Sequence, residues 1–357
     1  MKNKREKWLD IARGGGILLV VFGHALRDEM QQSYYAFYFI YRLLYFFHMN
    51  LFFCLAGITY SKYLKKVSII KFSIQKFKSL IVPWMSYSIL MYLFFPLCSR
   101  IEIAKRMLSG TEYEALTLKN YLMRSVLGNN PYAFHLWFIY ALFFIQIAVF
   151  CFDCMLNKLE ESQKNKIFVG LLFLTVSVSV FITSSKTIID VFFIRLPWYL
   201  FGIMFERLGW ERIIENKRTS LLIGVAGVIT AVGCIVVGDY LNTVSYLIRV
   251  IRHFIGIPCL IFLCLSIAKH IKGRIALVLS KLGKNSFAIY LLHQPFCCAI
   301  LGTILMKILP NCFITEFAII IICVFASFIV PRMVCGVAHI IHMTAVLDRL
   351  FGVRVEQ

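Results

Sequence analysis

The sequence predicts an all-α membrane protein with about ten transmembrane helices in a single bundle. Three observations carry that prediction. Of the 357 residues, 60% are hydrophobic and only 16% charged, whereas a soluble globular domain is nearer half apolar and a quarter charged. The apolar residues fall in blocks long enough to cross a bilayer, which takes about 20 in a row. The blocks are continuously apolar and do not alternate, so helices rather than a closed barrel satisfy the backbone in lipid.

The first span covers 9–27. It follows a basic start (Lys2, Lys4, Arg5, Lys7), but no small-residue cleavage site comes after it, so it stays as a helix rather than a signal peptide. The second block, 34–60, leaves room for a re-entrant stretch, and the third is 80–98. Residues 99–132 then form the longest segment outside the membrane. They read as one or two amphipathic interfacial helices closed by the turn Gly128-Asn129-Asn130-Pro131. Further spans fall at 133–155, 167–184, 188–206, 219–237, 243–268, 285–308 and 313–341. No soluble segment is long enough to fold alone, and no fixed repeat is visible. Residues 1–357 therefore read as one membrane domain, with 99–132 as its extracytoplasmic loop.

The formal net charge of +20 suggests nucleic acid only until the charges are placed. With both termini in the cytoplasm, the cytoplasmic segments hold 24 Lys and Arg and the opposite side holds 8. That split is the positive-inside pattern of a multi-pass cell-membrane protein. The basic loops set topology and meet anionic membrane lipid; no nucleic-acid partner is needed. The twelve cysteines are scattered singly and make no disulfide framework. Cys151-x-x-Cys154 reads as two small apolar side chains at a helix end. No spacing fits a zinc motif, so no metal is expected.

Six basic residues remain inside the spans, all arginine: Arg13, Arg42, Arg195, Arg249, Arg252 and Arg332. Acidic residues there are few, with Asp10, Asp153 and Glu206 near span ends. A membrane arginine is costly and points to function by default, although some snorkel or bond backbone carbonyls. Together, a cationic surplus suggests an anionic ligand, since guanidinium suits phosphate and carbonyl oxygens.

The first helix holds the sharpest constellation. Arg13 and His24 are eleven residues apart, so they share a face with about 16 Å of axial rise between them. Gly14-Gly15-Gly16 weaken a helix but permit close approach by another backbone or a ligand. His24 is the only ionisable group deep in this helix, and imidazole suits proton transfer near neutral pH. Two readings of it stand open, proton transfer or a packing hydrogen bond across helices. Arg13 likewise reads as an i,i+3 partner of Asp10, which does not exclude a catalytic role. Polar residues recur in apolar surroundings at His48, His135, Arg249 with Arg252 and His253, and His293.

At these residues the chain resembles integral membrane acyltransferase family 3, in the branch that includes fucose O-acetylase-like proteins. The resemblance rests on Trp8-Leu9-Asp10-Ile11-Ala12-Arg13-Gly14, the Arg13-x10-His24 frame, and Phe47-His48-Met49 with Phe52-Phe53-x-Leu55-x-Gly57. It continues in His135-Leu136-Trp137-Phe138, Pro197 to Gly202, and Ser286-x-x-Ile289-Tyr290-Leu291-Leu292-His293. It implies ten core helices and a cytoplasmic acyl-CoA donor, usually acetyl-CoA, used as substrate with no permanently bound cofactor. The acceptor it implies is a carbohydrate hydroxyl on a cell-surface glycan or its lipid-linked precursor. It also implies His24 as the catalytic histidine and Arg13 as its companion. Three departures stand out. Asn50 replaces a usual proline, Ala56 a usual serine, and Lys76-Phe77-Lys78-Ser79-Leu80 a stretch that usually carries arginines.

The expected activity is therefore membrane O-acyl transfer to a carbohydrate. His24 and Arg13 are the catalytic candidates, with Asp10, His48 and His135 in support. Lys76, Lys78, Arg195, Arg249 and Arg252 are candidates for holding the donor. The alternative from another class is a polysaccharide exporter or flippase without acyl transfer, since polar residues at membrane depth also serve substrate pathways.

Overall fold

The computed structural model describes residues 6–63, 67–98, 100, 116–183, 187–241 and 245–352. The basic residues Lys2, Lys4 and Arg5, and positions 99 and 101–115 of the long loop, lie outside the described residues. Every regular element among the described residues is helical. Nine of these helices are long and apolar enough to cross a membrane: Tyr35–Tyr63, Ile69–Cys98, Phe134–Met155, Glu161–Phe181, Ile188–Arg207, Lys217–Tyr240, Tyr246–His270, Ser286–Ile308 and Phe313–Ile340. The first helix, Lys7–Ala25, is unbroken over 19 residues, and Asp10, Arg13 and His24 dilute its apolar character. The protein is thus an all-α, multi-pass membrane fold of about ten helices.

Local chemistry sets several ends. Ser68, Thr117, Thr187 and Asn216 each accept a hydrogen bond from the backbone N–H three residues on, which caps the helix that follows. Glu160 with Gln163 forms a reciprocal capping box, so the next helix starts at Glu161 rather than 167. The 35–63 helix runs without a re-entrant break. The third span begins at Ile69, well before 80, because an amphipathic turn carrying Lys71 and Lys76 joins it through a wide π-turn at Phe77–Ile81. Further π-turns occur at Arg252–Gly256 and His293–Ile300. All three carry candidate or motif residues, in keeping with the frequent use of such wide turns at functional sites.

Cα proximity divides the chain into two compact units. The first comprises Met1–Gly23, Gln31–Val67 and Ala148–Lys284. Its helices meet through two reciprocal glycine crossings. A Cβ on Gly57 would sit 2.0 Å from the Tyr199 carbonyl oxygen, and one on Gly202 would sit 2.0 Å from that of Cys54. Gly14 faces the Leu279 carbonyl and Gly283 faces that of Asp10 in the same way, at 1.9 and 1.7 Å. Only glycine lets backbones approach this closely, so backbone van der Waals contact replaces side-chain interdigitation there. Gly16 packs on the Phe52 ring, and Gly15 faces open space. One end of the unit is an ion-pair network: Lys62 reaches Glu6 at 2.7 Å and Glu206 at 3.5 Å, and Arg207 reaches Asp153 at 2.9 Å.

The second unit comprises His24–Met30, Ser68–Ile147 and Asn285–Gln357. Its described loop holds one helix, Leu118–Val126, which ends at Gly128 with φ of 87°. The buried Asn130 ties the turn down. Its amide donates to Ser88 Oγ at 3.0 Å, and its carbonyl accepts from the Tyr132 and Ala133 N–H groups at 3.1 and 2.8 Å. Tyr121 adds a bond to the Ser88 carbonyl at 2.7 Å. Five residues on from Asn130 comes His135.

Candidate active site

The second unit gathers three imidazoles. The helix 286–308 leaves helical geometry at Gln294 (φ −119°, ψ 138°), just after His293 and before Pro295. Proline has no N–H to give the ladder, so backbone carbonyls of the preceding turn are freed. Side chains also bond to carbonyls around the kink. Tyr87 OH donates to the Gln294 carbonyl at 2.7 Å. His293 Nδ1 lies 2.7 Å from the Tyr290 carbonyl oxygen and 3.1 Å from that of Ile289. A carbonyl only accepts, so Nδ1 carries the hydrogen and Nε2 of the neutral ring is a lone pair. That Nε2 has no hydrogen-bond partner among the described residues, although His293 is 0% exposed.

His24, in the last turn of the first helix, sits with its ring centroid 5.2 Å from that of His293 and 5.8 Å from Phe134. His135 lies 5.5 Å from His293, 5.3 Å from Tyr290 and 5.8 Å from Tyr87. It occupies the 3-10 turn Phe134–Leu136, and Tyr290 OH donates to its backbone carbonyl. His135 and His293 are buried and His24 is partly accessible. Such a cluster can accept a proton at one ring and share it with a neighbour, with one member open to a substrate.

The remaining candidates lie in other settings. In the first unit Arg13 Nη1 donates to Asp10 at 3.0 Å, the i,i+3 pair expected, and Nη2 donates to Thr59 Oγ1 at 2.7 Å. Thr59 in turn donates to the Leu55 carbonyl at 2.6 Å, so the guanidinium is held in two directions. His48 is buried, with Nδ1 2.7 Å from the Leu44 carbonyl and its ring 4.6 Å from Tyr45. It belongs to the first unit, whereas His135 belongs to the second. Lys76 and Lys78 are in the second unit. Lys76 Nζ lies 5.2 Å from the Phe72 ring, and Lys78 is exposed.

The membrane arginines separate into kinds. Arg42 pairs with Asp239 at 2.9 Å, a partner absent from the sequence reasoning because it closes the distant helix 217–240. Arg195 donates to the amide oxygen of Asn50. Arg252 donates to the Tyr45 and Phe46 carbonyls at 3.3 and 3.2 Å and lies 4.8 Å from the Phe46 ring. Arg195, Arg249 and Arg252, three of the expected donor-holding residues, share one unit, whereas Lys76 and Lys78 lie in the other.

A separate cavity of about 710 Å³ in the first unit is lined by Glu6, Lys7, Trp8, Lys269, Lys272 and neighbouring apolar residues. Lys7 and Lys272 are exposed, and Lys269 Nζ lies 5.5 Å from the Trp8 ring. Among the described residues no group of three or more His, Cys, Asp or Glu is placed to hold a metal ion.

Sequence reasoning quoted His293 as a motif residue but did not place it with His24; it named Asn130 only as part of a turn and passed over Tyr87. The available signal was His293-Gln294-Pro295 inside an apolar span, where proline forces a kink beside an imidazole. A family model described as an acyltransferase domain matches residues 6–333. No curated protein and no solved structure matches the chain.

Proposed function

This chain belongs to that membrane acyltransferase family, and from that footing we propose that it moves an acetyl or related acyl group from cytoplasmic acyl-CoA to a hydroxyl of a cell-surface glycan or its lipid-linked precursor. The observation that carries the reading is the partly accessible His24 beside the buried rings of His293 and His135. In this account His24 takes the proton from the acceptor hydroxyl as its oxygen attacks the thioester carbonyl. A new C–O bond forms and a tetrahedral oxyanion results. Collapse breaks the C–S bond, and the proton held by His24 passes to the departing CoA sulfur. A neighbouring imidazole lone pair supports the transient charge on His24 without a second proton acceptor from solvent.

Arg13 belongs to the donor side of this reaction. The charge pattern puts its end of the first helix at the cytoplasmic face, and its rise of about 16 Å to His24 is comparable to an extended pantetheine arm. The cavity lined by Lys7, Trp8 and Lys272 offers cations and an indole face at that end, which suits a phosphorylated nucleotide. The acceptor then approaches from the side of residues 99–132.

The reading is tested with purified protein, acetyl-CoA and a panel of glycans, following release of free CoA and label in the glycan. Glycan-dependent turnover that vanishes in His24→Ala supports it. Absence of turnover with every acceptor and acyl donor tried, in protein shown to be folded, would sink it. A second arm supplies acetyl-CoA and an impermeant acceptor on opposite sides of sealed vesicles. Transfer only when both share the cytoplasmic side would place the chemistry wholly at that face.

A further inference from the structure

Three half-buried cationic side chains of the first unit gather around one imidazole from two helices. Arg195 comes from helix 188–207, and Arg249 and Arg252 from the start of helix 246–270. All three lie within electrostatic range of the His253 imidazole. Arg195 also feels the charge of Arg252, and Arg252 that of Arg42. Like charges in a low-dielectric interior repel strongly. Arg195 donates to the Asn50 amide oxygen, and Arg252 donates to two backbone carbonyls and lies against a phenyl ring. The nearby carboxylate, Asp239, is engaged by Arg42 and Tyr38.

Several N–H groups in this cluster are left over. Arg249 Nε and Arg252 Nε are buried without a hydrogen-bond partner among the described residues, and so is Trp198 Nε1. Trp198 is only 1% exposed, and its ring lies 6.2 Å from that of His253. Leaving one buried donor unmet is costly, and leaving three around a net positive charge is a persistent demand for an anion with several acceptor oxygens. A tetrahedral phosphate meets it, with charge and oxygens pointing in divergent directions.

Position along the helix bears on which phosphate. Arg252 is seventeen residues from Lys269, about 25 Å of rise. Lys269 belongs to the end of the unit with Glu211 and Trp8, where the basic loops lie. With the orientation those loops predict, the arginines lie toward the opposite leaflet. The phosphates of a cytoplasmic acyl-CoA stay with the basic loops, so the anion at the arginines enters with a membrane lipid.

We propose that Arg195, Arg249 and Arg252, with the Trp198 indole N–H, form a binding site for the phosphate group of a membrane lipid. Where the acyl acceptor is a lipid-linked saccharide, its phosphate linkage is the natural occupant, and this identification rests on the acyl-transfer reading. A bulk anionic phospholipid carries the same chemistry and is the other source.

The experiment measures lipid binding to the purified full-length protein by native mass spectrometry, with no acyl donor present. Polyprenyl phosphate is compared with the matching polyprenol, and phosphatidylglycerol with diacylglycerol. The expected result is at least tenfold tighter retention of a phosphate-bearing lipid than of its neutral counterpart. Arg249→Gln and Arg252→Gln remove that preference. Preference for polyprenyl phosphate over phosphatidylglycerol assigns the site to the acceptor's carrier, and equal or reversed preference assigns it to bulk lipid. No phosphate preference in the wild-type protein overturns the proposal, as does an unchanged preference in both variants. The wild-type comparison stands even where a variant fails to fold. Failure of acyl transfer in a separate assay leaves the binding result intact.

Discussion

The ring of His24 lies 5.2 Å from the ring of His293, with an interplanar angle of 48°. Two imidazoles that come from opposite ends of the sequence thus meet at one place in the second unit. His293 is oriented by its own backbone, since two carbonyls accept from its Nδ1 and leave Nε2 as a lone pair.

Replacing His24 is expected to remove acyl transfer while leaving the protein intact. His24→Asn should lower kcat by about 10²–10⁴, the usual range for a lost general base. Yield, detergent-solubilised size and thermal midpoint should match wild type. A variant retaining near-normal turnover would take His24 out of the chemistry.

His293 is expected to act through His24. His293→Gln keeps a polar side chain but no titrating ring, and should lower kcat by roughly tenfold with little change in KM. The pH–rate profile should shift as well, which a purely structural defect would not produce. Unchanged kcat and an unchanged profile would mean that the two rings merely pack.

The glycine crossings give a graded stability test. Gly202→Ala and Gly57→Ala each place a methyl about 2.0 Å from a backbone oxygen and force the helices apart. A cost of about 1–3 kcal/mol is expected from such overpacking. Gly15→Ala, which meets nothing within 4 Å, should be neutral or raise the thermal midpoint, because alanine favours a helix interior. Equal midpoints for all three would show that the crossings are looser than described.

Asn130→Ala strips partners from the Tyr132 and Ala133 N–H groups and from Ser88 at once. A loss of about 1–3 kcal/mol is expected for orphaned buried groups. Limited proteolysis should then cut within residues 116–133 faster than in wild type, and activity should fall because His135 follows directly. Unaltered cleavage would show that the turn is held elsewhere.

Cys312 is exposed in the short turn before helix 313–340, on the side the charge pattern places away from the cytoplasm. The Thr315 hydroxyl, 3.1 Å from its sulfur, and nearby backbone N–H groups hold its thiol below the usual thiol range. The thiolate is the reactive form, so maleimide labelling should reach its plateau at lower pH than for a free thiol, and Thr315→Ala should move it up. An impermeant maleimide should label intact cells at Cys312 and lose that label in Cys312→Ser. Labelling only after the membrane is opened would reverse the topology.

The helices were legible because lipid demands long apolar runs, and the predicted spans lie close to the observed ones at Tyr35, Ile188 and Phe313. The start at Ile69 was hidden because Lys71, Lys76 and Lys78 make that turn look like loop. Within the site, His24, Arg13 and the Asp10 contact were readable because they share one helix with a fixed period. His293 and the Asn130 anchor were not, since spacing within a helix says nothing of what a distant helix brings alongside. Asp239 was missed for the same reason, nearly two hundred positions from its Arg42 partner.

The docking of Gly14 on the Leu279 carbonyl fixes both the rotation and the height of the first helix at that point. Everything downstream on that helix inherits its bearing from there, as a key's bit does from its shoulder. One residue inserted anywhere in 15–23 would keep every side chain yet swing His24 by about 100° and displace it by about 1.5 Å. The number of residues from Gly14 to His24, more than their identity, therefore sets where the imidazole points.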